Sequence, residues 1–139
     1  MSPAFERLTR HPAALARLQQ ELDAGEEGYL DAVVNETLRV RPVIDGVWRK
    51  LTAPAVVAGR RLPADTLVFP AIVLVQTSDD AFPDPQDFRP ERFLEGSAAP
   101  YSFIPLGGGT RRCIGAAFAV MEMKTVLSTV LRRVALSVS

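Results

Sequence analysis

Apolar residues recur at helical spacing through the first forty positions and lose that spacing after Pro42. Ser2 followed by Pro3 reads as an N-cap with proline at the first helical position, so Ala4 to Thr9 is predicted as a short helix. Leu15, Leu18 and Leu22 repeat from Pro12 to about Ala24, where Gly25 is a natural stop. His11 precedes a proline, which biases it out of the helix and makes it a boundary residue. A third helix is predicted from about Tyr29 to Val40, with Leu30, Val33, Val34 and Leu38 on one face and Pro42 ending it. Beyond Pro42, β-branched residues and turn formers take over. Val43 to Leu51, Ala55 to Ala58 and Thr66 to Phe69 read as short strands of one small sheet, with Gly59-Arg60 and Pro63-Ala64-Asp65 as turns. Pro70 interrupts the apolar run from Leu67 to Val75, so a short helix is predicted to start there. Pro83, Pro85 and Pro90 leave no regular element between Gln76 and Glu95, an ordered coil anchored by Phe82, Phe88 and Phe93. A last helix, from about Ile114 to Arg133, is apolar almost all round and is predicted to be largely buried, Phe118 and Met121 included. The fold class is mainly α with a small β-sheet.

Composition narrows the classes. A chain of 139 residues, 47% hydrophobic and 23% charged, suits one globular domain and not a disordered tail. Sixteen basic residues balance sixteen acidic ones, which removes the electrostatic case for nucleic acid. One Cys rules out an internal disulfide framework, and one His rules out a zinc site of His and Cys ligands. A soluble protein of a reducing, cytoplasmic compartment is the expectation. The longest apolar run, Leu67 to Val75, is far short of the ~20 residues a membrane span needs. Glu6, Arg7 and Arg10 break up any signal-peptide core.

Candidate chemistry concentrates in Leu106-Gly107-Gly108-Gly109-Thr110-Arg111-Arg112-Cys113-Ile114-Gly115, which runs into the last helix. Three consecutive glycines open positive φ angles and let the backbone approach a flat partner without Cβ atoms in the way. Two arginines and a helix start then surround Cys113 with positive charge and unpaired N–H groups, a setting that stabilises negative sulfur. Gly115 would let a large planar ligand lie close to that helix start. Without such context a lone cysteine packs as a small hydrophobe. Here glycine, arginine and helix start coincide.

The stretch resembles the cysteine-ligand loop of the haem-thiolate monooxygenases, the cytochromes P-450, whose pattern is F-x-x-G-x-R-x-C-x-G. Gly109, Arg111, Cys113 and Gly115 match, and Leu106 replaces the leading Phe that shields the sulfur. The resemblance implies haem b, with Cys113 as axial thiolate pushing electron density onto the iron to favour O–O cleavage. Arg111 would reach a haem propionate. Glu36 and Arg39, three apart on the third helix, would by spacing alone be an exposed pair worth roughly 0.3–0.5 kcal/mol. The family has an E-x-x-R pair at this place and a P-E-R-F stretch after it, matched by Pro90-Glu91-Arg92-Phe93. By resemblance Glu36, Arg39 and Arg92 form a locked charge network that braces the cysteine loop. Arg49 aligns with a propionate-binding arginine, with a solvated strand residue as the alternative. The segment Val43 to Val47, including Ile44, lies near bound substrate in relatives. Two more departures are Gln76-Thr77, where His-Arg is common, and Asp65, where a turn glycine is usual.

The resemblance covers nearly the whole chain, but the chain corresponds to about the C-terminal third of the family. It implies a single incomplete domain: short helices, a small sheet, a Pro-rich meander, the cysteine loop and a final long helix. Residues 3 to 10 resemble the tail of the long helix crossing the oxygen side of the haem, and the proton-delivering residues would lie before Met1. The expected function is a monooxygenase acting on a small apolar organic substrate, with electrons from a ferredoxin or flavoprotein reductase. Arg111, Arg112, Lys124, Arg132 and Arg133 could give the cysteine side a positive surface for an acidic donor; a solvated face explains the same charges. The 139 residues alone are expected to be inactive. Two alternatives are a non-catalytic truncated product binding haem weakly or not at all, and an anion-binding module in which Gly107 to Arg112 cradles a phosphate, disfavoured by the lack of a G-x-x-x-x-G-K-[ST] pattern.

Overall fold

The computed structural model describes residues 3–96 and 98–136, so the predicted Ser2 cap lies outside the described residues. Helices α1 (Pro3–Arg10) and α2 (Pro12–Asp23) meet at His11. That histidine is the predicted boundary residue, its Nδ1 2.7 Å from the Arg7 carbonyl oxygen and its ring 5.0 Å from that of Phe88. After α2 the chain turns through Gly25 at a φ of +79°, a left-handed position that costs glycine nothing.

Helix α3 (Gly28–Val40) is the centre of the molecule. Tyr29, Leu30, Ala32, Val33, Val34 and Leu38 are all buried on it. They share one core with Ala4 and Leu8 of α1, Leu18 and Leu22 of α2, Phe88 of the meander, and Leu127 and Leu131 of α5 (Ala116–Leu131). At roughly 1.5–3 kcal/mol per fully buried large apolar side chain, this cluster is the main source of cohesion.

The single predicted sheet is instead two separate antiparallel ladders. Strand β1 (Arg49–Lys50) pairs with β4 (Leu67–Val68), and β2 (Ala55–Val57) pairs with β3 (Arg60–Leu62). The β2–β3 turn is Ala58-Gly59, with φ of +48° and +76°, the two-residue geometry whose twist matches the flanking strands. Arg60, expected in the turn, therefore opens β3. Asp65, in place of the usual turn glycine, adopts a φ of +66° and pairs with Lys50 at 2.7 Å. Aspartate is among the few side chains that tolerate this region.

Val43 to Val47 is not a strand. Its one bridge joins Gly46 to Ala71, and the Asp45 carbonyl accepts the Val73 N–H. Its backbone bonds therefore go to the start of α4 (Ile72–Gln76), the short helix foreseen after Pro70. Glycine is required at 46, since a Cβ would lie 2.5 Å from both Phe69 Cζ and the Pro70 carbonyl oxygen.

The meander holds one 3₁₀ turn, Pro90–Phe93, where no regular element was expected. Pro90 sits at its start, where the missing N–H would have no partner anyway. Phe82 and Phe88 are buried, and the Phe93 ring lies 4.9 Å from that of Phe103.

Helix α5 starts and ends two residues inside its predicted limits, and it is not largely buried. Only Ala116, Leu127 and Leu131 of the helix are buried, while Phe118, Met121 and Val126 are 64%, 56% and 45% exposed. Apolar residues all round a helix predict burial only if neighbours surround it. Among the described residues α3 covers one side, and nothing covers the side of Phe118 and Met121.

Candidate functional site

Glu36 and Arg39 are fully buried, which overturns the exposed pair that their spacing alone would suggest. Arg39 Nε and Nη2 donate to the two Glu36 carboxylate oxygens at 2.7 and 2.8 Å. Its remaining N–H groups go to the carbonyls of Gln76 and Pro85 at 2.9 Å and of Asp87 at 3.0 Å. Every donor of the guanidinium is thereby used, as burial of such a charge demands. Glu36 Oε1 also accepts the Arg89 N–H at 2.8 Å and Arg92 Nε at 3.2 Å. Arg92 Nη1 reaches the Pro83 carbonyl at 3.1 Å. One pair on α3 thus organises the backbone of the proline-rich meander, which has no ladder of its own to hold it.

The other side of the 3₁₀ turn is fixed as well. Tyr29 Oη donates to Glu91 at 2.7 Å, and Arg17 stacks 4.2 Å over the tyrosine ring while pairing with Glu21 and Glu91. Burial, and then the bond to Glu91, push the Tyr29 hydroxyl pKa well above its ordinary value.

Sequence reading passed over Gln76 except as a departure from the family pattern. It is fully buried, with Nε2 donating to the carbonyls of Leu38 and Arg39 and Oε1 accepting the Ile104 N–H. A polar residue closing the apolar run Ile72–Val75 was the available sign.

The cysteine loop is closed on itself. The Cys113 N–H donates to the Leu106 carbonyl at 2.9 Å, and Gly107 and Gly109 take φ of +77° and +62°. A 3₁₀ turn, Gly109–Arg111, carries Arg111 on the way from these glycines to Cys113. Gly115 is the residue before α5, where a Cβ would stand 4.0 Å from the Cys113 sulfur. Cys113 is an exposed free thiol.

A cavity of about 760 Å³ brings most of the predicted residues together. Cys113, Arg111, Leu106 and Gly107 line it from the loop, and Arg49, Val43, Ile44 and Val47 line it from the other side. Gly115 is not among its lining residues. Glu36, Arg39 and Arg92 do not line it. Arg49 Nη1 donates to the Trp48 carbonyl at 2.9 Å, whereas the Arg111 side chain has no partner among the described residues. Two of the five charges suggested for a positive surface on the cysteine side are already engaged. Lys124 is tied to Asp31 at 2.9 Å and Glu27 at 3.1 Å, contacts that raise its pKa, and Arg132 donates to the Leu22 carbonyl. Among the described residues no helix is long and apolar enough to cross a membrane, and no His, Cys, Asp and Glu cluster could hold a metal ion.

Known proteins place this arrangement in a family. A cytochrome P-450 135B1 of Mycobacterium tuberculosis is 51% identical over 143 residues, covering 99% of this chain and 30% of that protein. A cytochrome P-450 138 of Mycobacterium bovis is 44% identical over 130 residues, covering 93% and 30%. Among solved structures, retinoic acid-bound cyanobacterial CYP120A1 superposes with a TM-score of 0.89 at 31% identity, covering 94% of this chain and 34% of that one. The chain spans about 30% of the length of the curated relatives it matches. The family model for cytochrome P-450 matches residues 1–139, and the chain belongs to that family.

Proposed function

We propose that this chain carries the haem-thiolate site of a monooxygenase, with Cys113 as the iron ligand. The observation that carries the reading is the cavity of about 760 Å³, which joins the only cysteine, two arginines and an apolar wall. Its size is within the roughly 300–1,000 Å³ of cofactor and ligand sites. Its donor set suits haem b: one thiol for iron, guanidinium groups for the two carboxylates, and Val43, Ile44, Val47 and Leu106 for the apolar face. Thiolate-ligated haem supplies oxygen activation for inserting one oxygen atom into an organic substrate.

The chain's own residues do the holding. The Cys113-to-Leu106 backbone bond fixes where the sulfur stands, and the positive φ angles at Gly107 and Gly109 keep Cβ atoms off that turn. Arg111 and Arg49 bind the carboxylates as positioned charges. Val43, Ile44 and Val47 exclude water from an apolar substrate. Glu36, Arg39 and Arg92 brace the scaffold on which the loop rests. Retinoic acid in the cyanobacterial relative is a ligand of the apolar class expected here. A ferredoxin or flavoprotein reductase of a reducing, cytoplasmic compartment is the matching electron donor.

The test is an absorption spectrum of the purified chain after hemin addition, reduced and under carbon monoxide, beside Cys113→Ala. A red-shifted Soret band that disappears in the variant supports the reading. The same spectrum in both proteins, or no hemin uptake by the unaltered chain, overturns it.

A further inference from the structure

Among the described residues, Gln76 is the buried side chain hydrogen-bonded both to the charge-network residue Arg39 and to the approach to the cysteine loop. The last carbonyls of a helix have no partner within it. Gln76 Nε2 supplies one to two of them at the end of α3, donating to Leu38 at 3.1 Å and to Arg39 at 3.0 Å. Arg39 returns the contact, its Nη1 donating to the Gln76 carbonyl at 2.9 Å. Residues 39 and 76 are therefore locked to each other in both directions. The remaining end of the amide, Oε1, accepts the Ile104 N–H at 3.1 Å.

Ile104 is where the chain leaves this scaffold. Its carbonyl accepts the Gly107 N–H at 2.9 Å, and the carbonyl of Leu106, two residues on, accepts the Cys113 N–H. Ile104, Pro105 and Leu106 all line the cavity that holds Cys113. A displacement of Gln76 would thus reach Cys113 through two further hydrogen bonds and the backbone of Pro105 and Leu106. No direct hydrogen bond joins Glu36, Arg39 or Arg92 to residues 104–113 among the described residues, so Gln76 is the polar connection between the two. Its side-chain amide makes three of these bonds, to Leu38, Arg39 and Ile104, and is itself fully buried.

We propose that Gln76 is a positioning residue that sets the stance of the Cys113 loop by tying the Ile104 backbone to the end of α3. The proposal rests on the haem-site reading, but one of its two readouts does not.

The experiment compares the unaltered chain with Gln76→Met, which keeps length and volume without hydrogen bonds, and Gln76→Glu, which keeps the acceptor for Ile104 and loses the donors to α3. Amide hydrogen exchange is followed at Ile104, Gly107 and Cys113, with Val33 as a control in the middle of α3. Hemin-loaded, reduced samples under carbon monoxide are then compared by Soret position. In Gln76→Met, exchange at Ile104 is expected to rise about tenfold more than at Val33, the size of one lost buried hydrogen bond. The thiolate-type Soret fraction should fall in Gln76→Met and be partly retained in Gln76→Glu. A residue that merely stabilised α3 would accelerate exchange at Ile104 and at Val33 by the same factor and leave the Soret position of the folded fraction alone. Unchanged exchange at Ile104 in Gln76→Met overturns the proposal. If Gln76→Met does not fold, an unaltered Soret position in Gln76→Glu overturns it instead, and a shifted one supports it. If the unaltered chain takes up no hemin, the haem-site reading fails, while the exchange comparison still decides whether Gln76 holds the loop.

Discussion

Arg39 and Arg111 carry the same guanidinium and belong to the two ends of the family's signature, yet they stand in opposite surroundings. Arg39 is fully buried and uses every donor, on Glu36 and on three backbone carbonyls. Arg111 is exposed at the rim of the cavity, without a partner among the described residues. The contrast extends to their neighbourhoods, since α3 and the meander satisfy each other while the loop and α5 present Cys113, Phe118 and Met121 to the outside. One region gives the chain its shape, and the other leaves its sulfur, its guanidinium and its large apolar side chains unengaged among the described residues.

The sharpest way to break that comparison is to damage Arg39. Arg39→Met leaves the Glu36 carboxylate buried with only Arg92 and one backbone N–H, and breaking a buried pair from one side costs about 3–5 kcal/mol. Against a total stability of about 5–15 kcal/mol, such a loss leaves a large unfolded fraction. Urea denaturation of both proteins measures it. A loss below about 1 kcal/mol would mean that water reaches Glu36 and that the network is no dry brace.

The same division explains which features were readable from the chain. The helices around α3 follow from spacing and from the prolines and glycine that bound them, because the residues that bury them lie within the chain: Leu18 and Leu22 share one core with Leu30 and Val33. The network was recognisable only through the family pattern, since an i, i+3 pair of opposite charges looks the same exposed or buried. Gln76 escaped notice because its partners are backbone groups at 38, 39 and 104, and backbone carries no mark in a sequence. The strands were misjudged where pairing decides the outcome: Val43 to Val47 has β-forming residues but no neighbouring strand, while Arg60–Leu62 gains one through the turn at Ala58-Gly59. Helix α5 failed for the related reason that hydrophobicity states a demand for partners without supplying them.

A second, smaller effect separates the regions by pH. Tyr29→Phe removes a bond to a charged acceptor, worth about 1.5–3 kcal/mol when shielded and nearer 1–2 here, since Glu91 is partly exposed. The hydroxyl's pKa is raised on folding, so its contribution is complete below its ordinary value of 10.0 and is lost as pH rises beyond it. Lys124, raised by Asp31 and Glu27, has the same sign from its ordinary value of 10.5 upward. Between about pH 8 and pH 11 the unaltered chain should therefore lose more stability than Tyr29→Phe, which keeps only the lysine's share. Equal losses would show that Tyr29 is no part of the alkaline transition.

The smallest stability effects are expected in the cysteine loop, and their smallness is what would make them informative. Cys113 and Arg111 are exposed and form no side-chain bond within the described residues, so Cys113→Ala and Arg111→Ala should each change stability by no more than about 0.5 kcal/mol. Under the haem-site reading binding responds differently. Arg111→Ala should weaken hemin binding by roughly two- to fivefold, the worth of one solvent-exposed charged contact, whereas Arg39→Met should weaken it only in proportion to the unfolded fraction. Hemin titrations of the three variants, corrected for the folded fraction from the urea curves, separate the two behaviours. If Arg111→Ala destabilises the chain as much as Tyr29→Phe does, the loop arginine is a structural residue after all, and the division between bracing and binding arginines collapses. If its stability is unchanged and hemin binding weakens, the cavity's charge belongs to the ligand.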